Sequence, residues 1–224
     1  MLIRSWNVYH GRSQPAGRRG YLEAMIRLAC ADEPDVLCLQ ELPLWSLRFL
    51  EHWSGMRVFA ARTRRALLGS RTGRVLTAAH YGVFRSAFTG QANAILVAQE
   101  HTADDLGFLT ISDRRHHPRV CQAVRIDSRL VVANIHASGE VAQRQVDRAL
   151  AWLEDLVRLR EPLVVAGDFN ASLTLPGFSP PHGGIDDVHV RGTQATPLDV
   201  WPLERRRQNG VVLSDHAPVE LTVP

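Results

Sequence analysis

Acids and amides follow apolar, strand-like runs at several points in this chain. One such motif is GDFN, at residues 167–170. The run LVVA leads directly into it, so that Asp168 and Asn170 come just after a buried strand. Residues two positions apart on an extended segment lie on one face. A carboxylate and an amide on one face can converge on a water molecule or a phosphate oxygen. Taken alone, GDFN is explained as well by a turn, since Asp and Asn favour turns.

Glu41 ends the almost wholly apolar run in LCLQEL. Burying a carboxylate there is costly unless a cation accompanies it. The alternative is a surface glutamate that opens the next helix, where the helix dipole favours an acid. Asn7, in SWNVYHG, stands at the equivalent end of the first strand-like run, and a polar loop residue is the alternative there.

Two histidines follow the same pattern. In SDHAPVEL, Asp215 and His216 are adjacent, so both can reach one site only from a bend before the final strand. An acid beside a histidine can tune its pKa, and Asp186 in GGIDDVHV is the candidate partner for one ring nitrogen. His136 ends the run VVANIH and could donate to a phosphate oxygen, or serve as a structural histidine at a strand end.

In their order along the chain, from Asn7 to His216, these motifs resemble the endonuclease/exonuclease/phosphatase superfamily. Deoxyribonuclease I, abasic-site endonucleases, inositol polyphosphate 5-phosphatases and neutral sphingomyelinases belong to it. The resemblance implies an α/β fold, a four-layer α/β/β/α sandwich in which two packed mixed β-sheets are flanked by helices. It also implies hydrolysis of phosphoester bonds by metal-assisted, in-line attack of water, with Mg²⁺, or Mn²⁺ in its place, as cofactor.

The resemblance assigns the metal and the attacking water to particular residues. Glu41 looks like the principal magnesium ligand, and Asn7 and Asp215 are expected close to the ion. Asp168 looks like the residue that orients and activates the water. Asn170 would hold that water in line or contact the phosphate.

The histidines and the cleft are assigned in the same way. His216, backed by Asp186, would stabilise charge on the phosphate or act in acid–base catalysis, and His136 would contact a non-bridging oxygen. Asn93, in QANAILVA, is similar to a family strand that lines the cleft, with packing inside the sheet as the alternative. Arg119 is a candidate phosphate contact, with a solvated arginine as the alternative.

Two features differ from the family pattern or compete with it. Asp187 stands where family members often carry histidine, and strand alternation should direct it away from Asp186. The pair His116–His117 suggests zinc, but adjacent histidines diverge on a strand, so we interpret the pair as structural.

The apolar patterns predict the elements that must position these residues. Helices are predicted over 18–31, 43–53 and 139–159, the last with Ser138 near its N-cap. Strands are predicted at 2–8, 35–40, 56–61, 81–86, 93–98, 106–111, 119–126, 129–136, 163–167, 184–190, 197–201 and 216–223. The arginine-rich stretch 62–80 is predicted to be a surface excursion. Mixed strands with few helices indicate two packed sheets with helices on their outer faces.

The bulk composition is that of one globular domain over residues 1–224, with 45% apolar and 22% charged residues. No run is long enough for a membrane span and no signal peptide is visible, so we expect a cytoplasmic protein. Cys30, Cys38 and Cys121 are expected to be reduced thiols. All basic side chains are arginine, and the net charge of +3 tolerates a phosphate-rich partner.

Three functions remain open at the level of sequence. The first is a phosphodiesterase or endonuclease, with nucleic acid among the candidate substrates because of the arginines in the excursion (Arg62, Arg64, Arg65, Arg71, Arg74). The second is a phosphatase or phospholipase C-like enzyme acting on inositol phosphates or phospholipid head groups, which the compact length favours. The third, a non-catalytic binding module, should lack a motif residue, and none is missing. We expect a monomer, and no protein partner can be inferred.

Overall fold

The computed structural model describes residues 1–17, 20–64, 90–113, 118–180 and 182–224, and of Arg64 only the backbone. Within these ranges the α-helices are α1 Leu22–Ala29, α2 Leu50–Ser54 and α3 Ala142–Leu156. Short 3₁₀-helices cover Tyr9–Gly11, Leu44–Phe49, Gly139–Val141 and Glu204–Arg206. Within these described ranges, no helix combines the length and the apolar character that crossing a membrane requires.

The strands of the described residues form two large sheets and one small one. In chain order they are β1 Leu2–Asn7, β2 Ser13–Gln14, β3 Val36–Leu42, β4 Arg57–Arg64, β5 Gln91–Val97, β6 Ala103–Thr110, β7 Val120–Ile126, β8 Leu130–His136, β9 Leu163–Asp168, β10 Asp186–Arg191, β11 Asp199–Val200, β12 Arg207–Gln208, β13 Val211–Leu213 and β14 Val219–Thr222. The first sheet has the order β11-β14-β1-β3-β5-β4, the second β10-β9-β8-β7-β6, and the small third sheet β12-β13-β2. Both large sheets are mixed, because β1–β3 and β8–β9 are parallel pairs and the other pairs are antiparallel.

Three apolar clusters define four layers. Trp6, Leu37 and Leu39 of the first sheet pack with α1 and α2. Val146 and Leu153 of α3 pack on the outer face of the second sheet. Between the two sheets lies a third cluster, with members from β1, β3, β5, β7, β8, β9, β10 and β14. The α/β/β/α sandwich predicted from the sequence is therefore confirmed.

The layer between the sheets changes from apolar to polar along the strands. On β3, Val36 and Cys38 face this layer and Gln40 follows them. The amide of Gln40 donates to Asn134 Oδ1 of the facing sheet at 2.8 Å, and Asn134 donates to the carbonyl of Leu39 at 2.9 Å. The apolar end holds the sandwich together, and the polar end leads towards the rim where the motif residues lie.

Most predicted elements are confirmed, with shifted ends. The predicted helix over 43–53 is a 3₁₀-helix followed by the short α2. Ser138 is not a side-chain cap: α3 begins at Ala142, and Ser138 accepts instead from Arg119 at 3.1 Å. Strand β4 continues to Arg64, so it includes the start of the predicted excursion. The predicted strand 81–86, the excursion from 65 to 80 and His116–His117 lie outside the described residues.

Candidate active site

Strand register brings three motif residues into one row. His136 of β8 is paired with Asp168 of β9, and Asp168 is paired with Asp186 of β10. Along each of these strands, the residues at alternate positions before or after the motif residue face the other sheet. The period of two therefore carries all three side chains to the inner side of the same rim.

Glu41 reaches this rim through an irregularity in its strand. The register of β3 against β5 shifts between Leu39 and Leu42, where β3 contains one extra residue, and Glu41 has a φ of 57°. Leu39 and Leu42 both pack on the outer, helix-covered face. In a regular strand Glu41 would share the outer face with Leu39, so the bulge is what turns its carboxylate towards the site.

Asp168 is almost completely buried and held from two sides. Asn7 Nδ2 donates to its Oδ2 at 2.8 Å, and the backbone N–H of Asn170 donates to its Oδ1 at 2.9 Å. Burial, with the neighbouring charge of Asp186, raises the pKa of Asp168 above its usual value. The carboxylate is thus oriented in one direction and is a stronger base than a solvated aspartate.

His216 and Asp186 form a close pair. The ring nitrogen Nδ1 of His216 lies 2.8 Å from Asp186 Oδ2, and its Nε2 points towards Asp168 Oδ2 at 3.9 Å. Burial alone would lower the pKa of His216, but the hydrogen bond to Asp186 and the nearby carboxylates raise it to about 9. The imidazole is therefore protonated at neutral pH.

The bend that carries Asp215 and His216 is fixed by Ser214. This residue has a φ of 60°, its hydroxyl donates to the carbonyl of Asn7 at 2.7 Å, and it accepts from the His216 N–H at 3.1 Å. Asp215 is the most exposed of the motif acids, with 37% of its side chain accessible. Both residues therefore come from a bend before β14, as their adjacency required.

His136 and Arg119 lie against each other. Arg119 Nη1 is 2.7 Å from His136 Nδ1 and 2.5 Å from Nε2, and its Nε–H donates to Ser138. Burial and the charge of Arg119 lower the pKa of His136 well below its usual value, so the ring is neutral. Its Nε2 lies 3.4 Å from Asp168 Oδ2 and 3.8 Å from Glu41 Oε1. Arg119 thus adds a cation beside the carboxylates.

His10 belongs to this group of residues, although the sequence analysis did not identify it. Its Nε2 lies 3.5 Å from Glu41 Oε2. Tyr9, His10 and Gly11 all have positive φ, so the 3₁₀ turn after β1 folds back over the rim. The available signal was Gly11 directly after a polar pair, which marks a turn that could return His10 to the strand end.

The other predicted residues lie at the margins of the site or within the sandwich. Asn170 donates from Nδ2 to the carbonyl of Ala137 at 3.1 Å, an arrangement that its φ of 54° allows. Asn93 is fully buried, and neither its Nδ2 nor its Oδ1 has a hydrogen-bond partner among the described residues. The carboxylate of Asp187 accepts from the N–H groups of His182 and Val188.

The family model for the Endonuclease/Exonuclease/phosphatase family matches residues 5–216 of the chain. This chain belongs to the endonuclease/exonuclease/phosphatase family. The match spans every motif from Asn7 to His216. Family membership supports a hydrolase of phosphoester bonds. A search of curated proteins found no match.

Solved structures with the same fold are distant in sequence from this family member. A functionally unknown conserved protein from Enterococcus faecalis is 18% identical, with a TM-score of 0.73 over 100% of this chain and 99% of that chain. The mannosyl-6-phosphatase of Bacteroides thetaiotaomicron is 13% identical, with a TM-score of 0.69 over 100% and 99%. Truncated TDP2 from Caenorhabditis elegans is 14% identical, with a TM-score of 0.65 over 99% and 96%. At such identities the likeness shows the fold.

The donor set suits the divalent cation on which this family generally depends. Burial, partly offset by the charge of Arg119, raises the pKa of Glu41 to about 7, and a cation near this carboxylate would remove that cost. Asp186 Oδ1 is buried without a hydrogen-bond partner among the described residues. Ligand atoms of Asp168, Asp186 and His216 lie within 4.8 Å of one another. This group differs from the ligands that the resemblance implies (Asn7, Glu41 and Asp215), but both groups are rich in the oxygen donors that Mg²⁺ prefers.

Proposed function

We propose that this chain is a Mg²⁺-dependent phosphodiesterase that hydrolyses its substrate by in-line attack of water, with residues 1–224 acting as one domain. The observation that carries the proposal is the convergence of Asp168, Glu41 and the Asp186–His216 pair at one rim of the sandwich. Hydrolysis of a phosphoester needs a positioned nucleophile and fixed charge complementary to the phosphate oxygens. The described residues can supply both.

Asp168 orients the attacking water and accepts its proton. It is suited to this role because Asn7 and the Asn170 backbone fix the carboxylate from two sides. Its raised pKa brings it closer to the range in which a carboxylate is an effective general base. Asn170, directly after this strand, helps to hold the water or contacts the phosphate.

His216, His136 and Arg119 act on the phosphate. Protonated His216, anchored through Nδ1 by Asp186, offers its Nε2 proton to a phosphate oxygen or to the leaving oxygen. His136 is neutral and can donate one N–H to a non-bridging oxygen. Arg119 adds a fixed positive charge on the same side.

Glu41, with Asn7 and Asp215, would hold Mg²⁺, which when bound supplies electrostatic stabilisation of the charge that develops on the phosphate. Among the described residues of the site, four carboxylates (Glu41, Asp168, Asp186, Asp215) stand against three cationic side chains (Arg119, Arg206, His216). One divalent cation would leave the site with about one net positive charge. A phosphodiester, with one negative charge, would then bring the site to neutrality, whereas a phosphomonoester with two would leave it negative.

The test is a hydrolysis screen of the purified protein with Mg²⁺, with Mn²⁺ and with EDTA. The substrates are bis-p-nitrophenyl phosphate, p-nitrophenyl phosphate, plasmid DNA, RNA, and choline and inositol phospholipids. We expect metal-dependent cleavage of diesters that exceeds cleavage of the monoester. Activity on DNA or RNA should fall steeply with salt, because phosphate contacts release counterions.

Each arm of the screen separates one alternative. Faster cleavage of the monoester would replace the phosphodiesterase with a phosphatase, and cleavage confined to phospholipids would indicate a phospholipase C-like enzyme. Equal rates with Mg²⁺ and with EDTA would contradict the metal dependence. No hydrolysis of any substrate would contradict the proposed function and favour a binding module on this fold.

A further inference from the structure

Arg206 is a buried arginine directly behind the bend of Asp215 and His216. It ends the 3₁₀-helix Glu204–Arg206 and is only 6% exposed. Its Nη1 donates to three carbonyl groups of the bend, those of Leu213 at 3.1 Å, Ser214 at 3.3 Å and His216 at 3.0 Å. One charged donor therefore connects the residues on both sides of Asp215.

The bend needs such support because its backbone leaves the β-ladder after Leu213. Strand β13 ends at Leu213 and β14 begins at Val219, so the backbone between them forms no ladder. Ser214 adopts a left-handed conformation, which is unfavourable for a residue with a Cβ atom. Buried carbonyl groups without partners would add a further cost. Arg206 satisfies the carbonyls that this conformation directs inwards.

Three further contacts join the bend to the rest of the chain, and none of them replaces Arg206. Trp6 Nε1 donates to the carbonyl of His216 at 3.0 Å, the Ser214 hydroxyl donates to the carbonyl of Asn7, and the Ser214 N–H donates to the carbonyl of Arg12 at 2.9 Å. The carbonyls of Leu213 and Ser214 accept from Arg206, which is also close enough to Asp186 and Asp215 to feel their charges. The guanidinium is therefore a shared counter-charge for two acids that flank His216.

We propose that Arg206 is a positioning residue, which fixes the bend from Leu213 to His216 and thereby places Asp215 and His216 in the active site. The inference rests on the proposed function for its kinetic consequences, but not for its structural ones. Without Arg206 the bend should relax, and His216 should lose its fixed approach to Asp186. Arg205 and Arg207 stand beside it in the sequence, and only the packing distinguishes Arg206 from them.

The test compares Arg206→Met, which keeps the bulk of the side chain, with Arg206→Lys, which keeps one charged donor. Two further arginine-to-methionine variants serve as controls for Arg206→Met. Arg207→Met changes an exposed arginine in the same run, and Arg125→Met removes a buried arginine that bonds Glu161 and the Leu156 carbonyl away from the site. Initial rates are measured with Mg²⁺ and bis-p-nitrophenyl phosphate, and folding is checked by thermal melting.

For Arg206→Met we expect kcat to fall at least tenfold, KM to change less than threefold, and Arg206→Lys to recover at least threefold in kcat. Arg125→Met should lower the Tm and leave the kcat of the folded protein unchanged. A folded Arg206→Met protein with kcat within twofold of wild type would overturn the inference. If Arg206→Met does not fold, Arg206→Gln replaces it under the same criteria.

A readout independent of activity separates this inference from the proposed function. The His216 Nδ1 proton, bonded to Asp186, should give an NMR signal in wild type and in Arg207→Met that is lost in Arg206→Met. Its persistence in Arg206→Met would contradict the positioning role, even if wild type cleaved no tested substrate. Its loss, together with an inactive wild type, would support the positioning role and reject only the hydrolase.

Discussion

At the scale of single residues, the site depends on how the protein environment changes the basicity of ordinary side chains. Asp168 and Glu41 are both made more basic by burial, whereas His136 is made less basic. His216 is affected in the opposite sense, because its bond to Asp186 outweighs burial. The site thus contains bases, a neutral donor and an acid within a few ångströms of one another.

Asp168→Asn should lower kcat by about 10²–10⁴-fold, the usual contribution of a positioned general base. The amide keeps the shape of the side chain but cannot accept the proton of the water. Because the change also removes a buried charge, the Tm should not fall by more than a few degrees. Initial rates and thermal melting check both statements, with the exposed helical change Asp155→Asn as control. Unaltered activity in Asp168→Asn would remove Asp168 from the mechanism.

Binding of Mg²⁺ should depend on pH through Glu41. The pKa of this carboxyl group is raised to about 7, so protons compete with the cation below that pH. Affinity should fall about tenfold for each pH unit below 7, the slope for one competing proton, and level off above it. Calorimetric titration of Mg²⁺ at pH 6, 7 and 8 measures the slope. Glu41→Gln should remove the slope together with most of the affinity; a flat profile in wild type would contradict this assignment.

At the scale of elements, strand β9 reaches Asp168 through a glycine at which any side chain would collide with strand β8. Gly167 has a φ of 151°, and a Cβ added there would lie 1.9 Å from the carbonyl oxygen of Ile135 on β8. The parallel pair β8–β9 is therefore so close that a side chain is excluded at the position just before Asp168. Gly167 is therefore required by the close packing of β8 and β9. The turn-like composition of GDFN does not suggest this requirement.

Gly167→Ala should lower the free energy of unfolding by at least ~3 kcal/mol, because β8 and β9 must separate to admit the methyl group. For a chain of this size that corresponds to about 6–12 °C in Tm. Gly20→Ala is the control, since a Cβ there meets nothing within 4 Å. Thermal melting compares the Tm of Gly167→Ala with that of Gly20→Ala. Equal Tm values would show that β9 can move away from β8.

Element ends account for most differences between sequence and structure. Helical and strand periodicity located every long described element, because each has an apolar face that must be covered. It could not locate β2, β12 and β13, since strands of two or three residues contain no repeat. Apolar spacing also could not predict that the helix over 43–53 divides into a 3₁₀-helix and α2, because a 3₁₀ turn and an α turn bury similar positions.

At the scale of the whole molecule, a second polar cluster joins the two large sheets at the rim opposite the site. His101, between β5 and β6, lies 2.7 Å from Asp35 before β3 and 2.7 Å from Asp127 in the β7–β8 turn. A protonated ring donates to both carboxylates at once. Burial alone would lower the pKa of His101, but these two bonds raise it. The Asp35 carboxylate also accepts from the backbone of Leu2.

His101→Gln should destabilise the protein by ~1.5–3 kcal/mol near pH 6, which is typical of hydrogen bonds to charged groups. Since the folded pKa lies above the unfolded one, the contribution is full below the unfolded pKa and is lost as pH rises through the folded pKa. Acid also weakens it, once Asp35 and Asp127 are protonated through their lowered pKa values. Urea unfolding at pH 6 and pH 9 measures the difference.

The matched control for the His101 substitution is His52→Gln, which changes an exposed histidine of α2. It should leave the unfolding free energy unchanged at both pH values. A destabilisation by His101→Gln that is as large at pH 9 as at pH 6 would mean that the ring contributes through packing rather than through its charge.

The sequence by itself determined the family and, through the resemblance that its motifs carry, the sandwich. It also placed Asn7, Glu41, His136 and Asp168 at the ends of apolar strands, because apolar runs that must be buried stop where polar side chains begin. It also marked the bend of Asp215 and His216, since adjacent residues on a strand could not share one site.

Only the tertiary structure decided the face of Glu41, the partner of His136 and the place of His10. Glu41 turns inwards because a bulge breaks the alternation of β3, and an extra residue in one strand is defined only against its neighbour. Arg119 and Arg206 are two of many arginines in this chain, and burial against particular carbonyls and rings distinguishes them. Such contacts depend on how separate strands and turns pack against one another, and local apolar periodicity does not specify that packing.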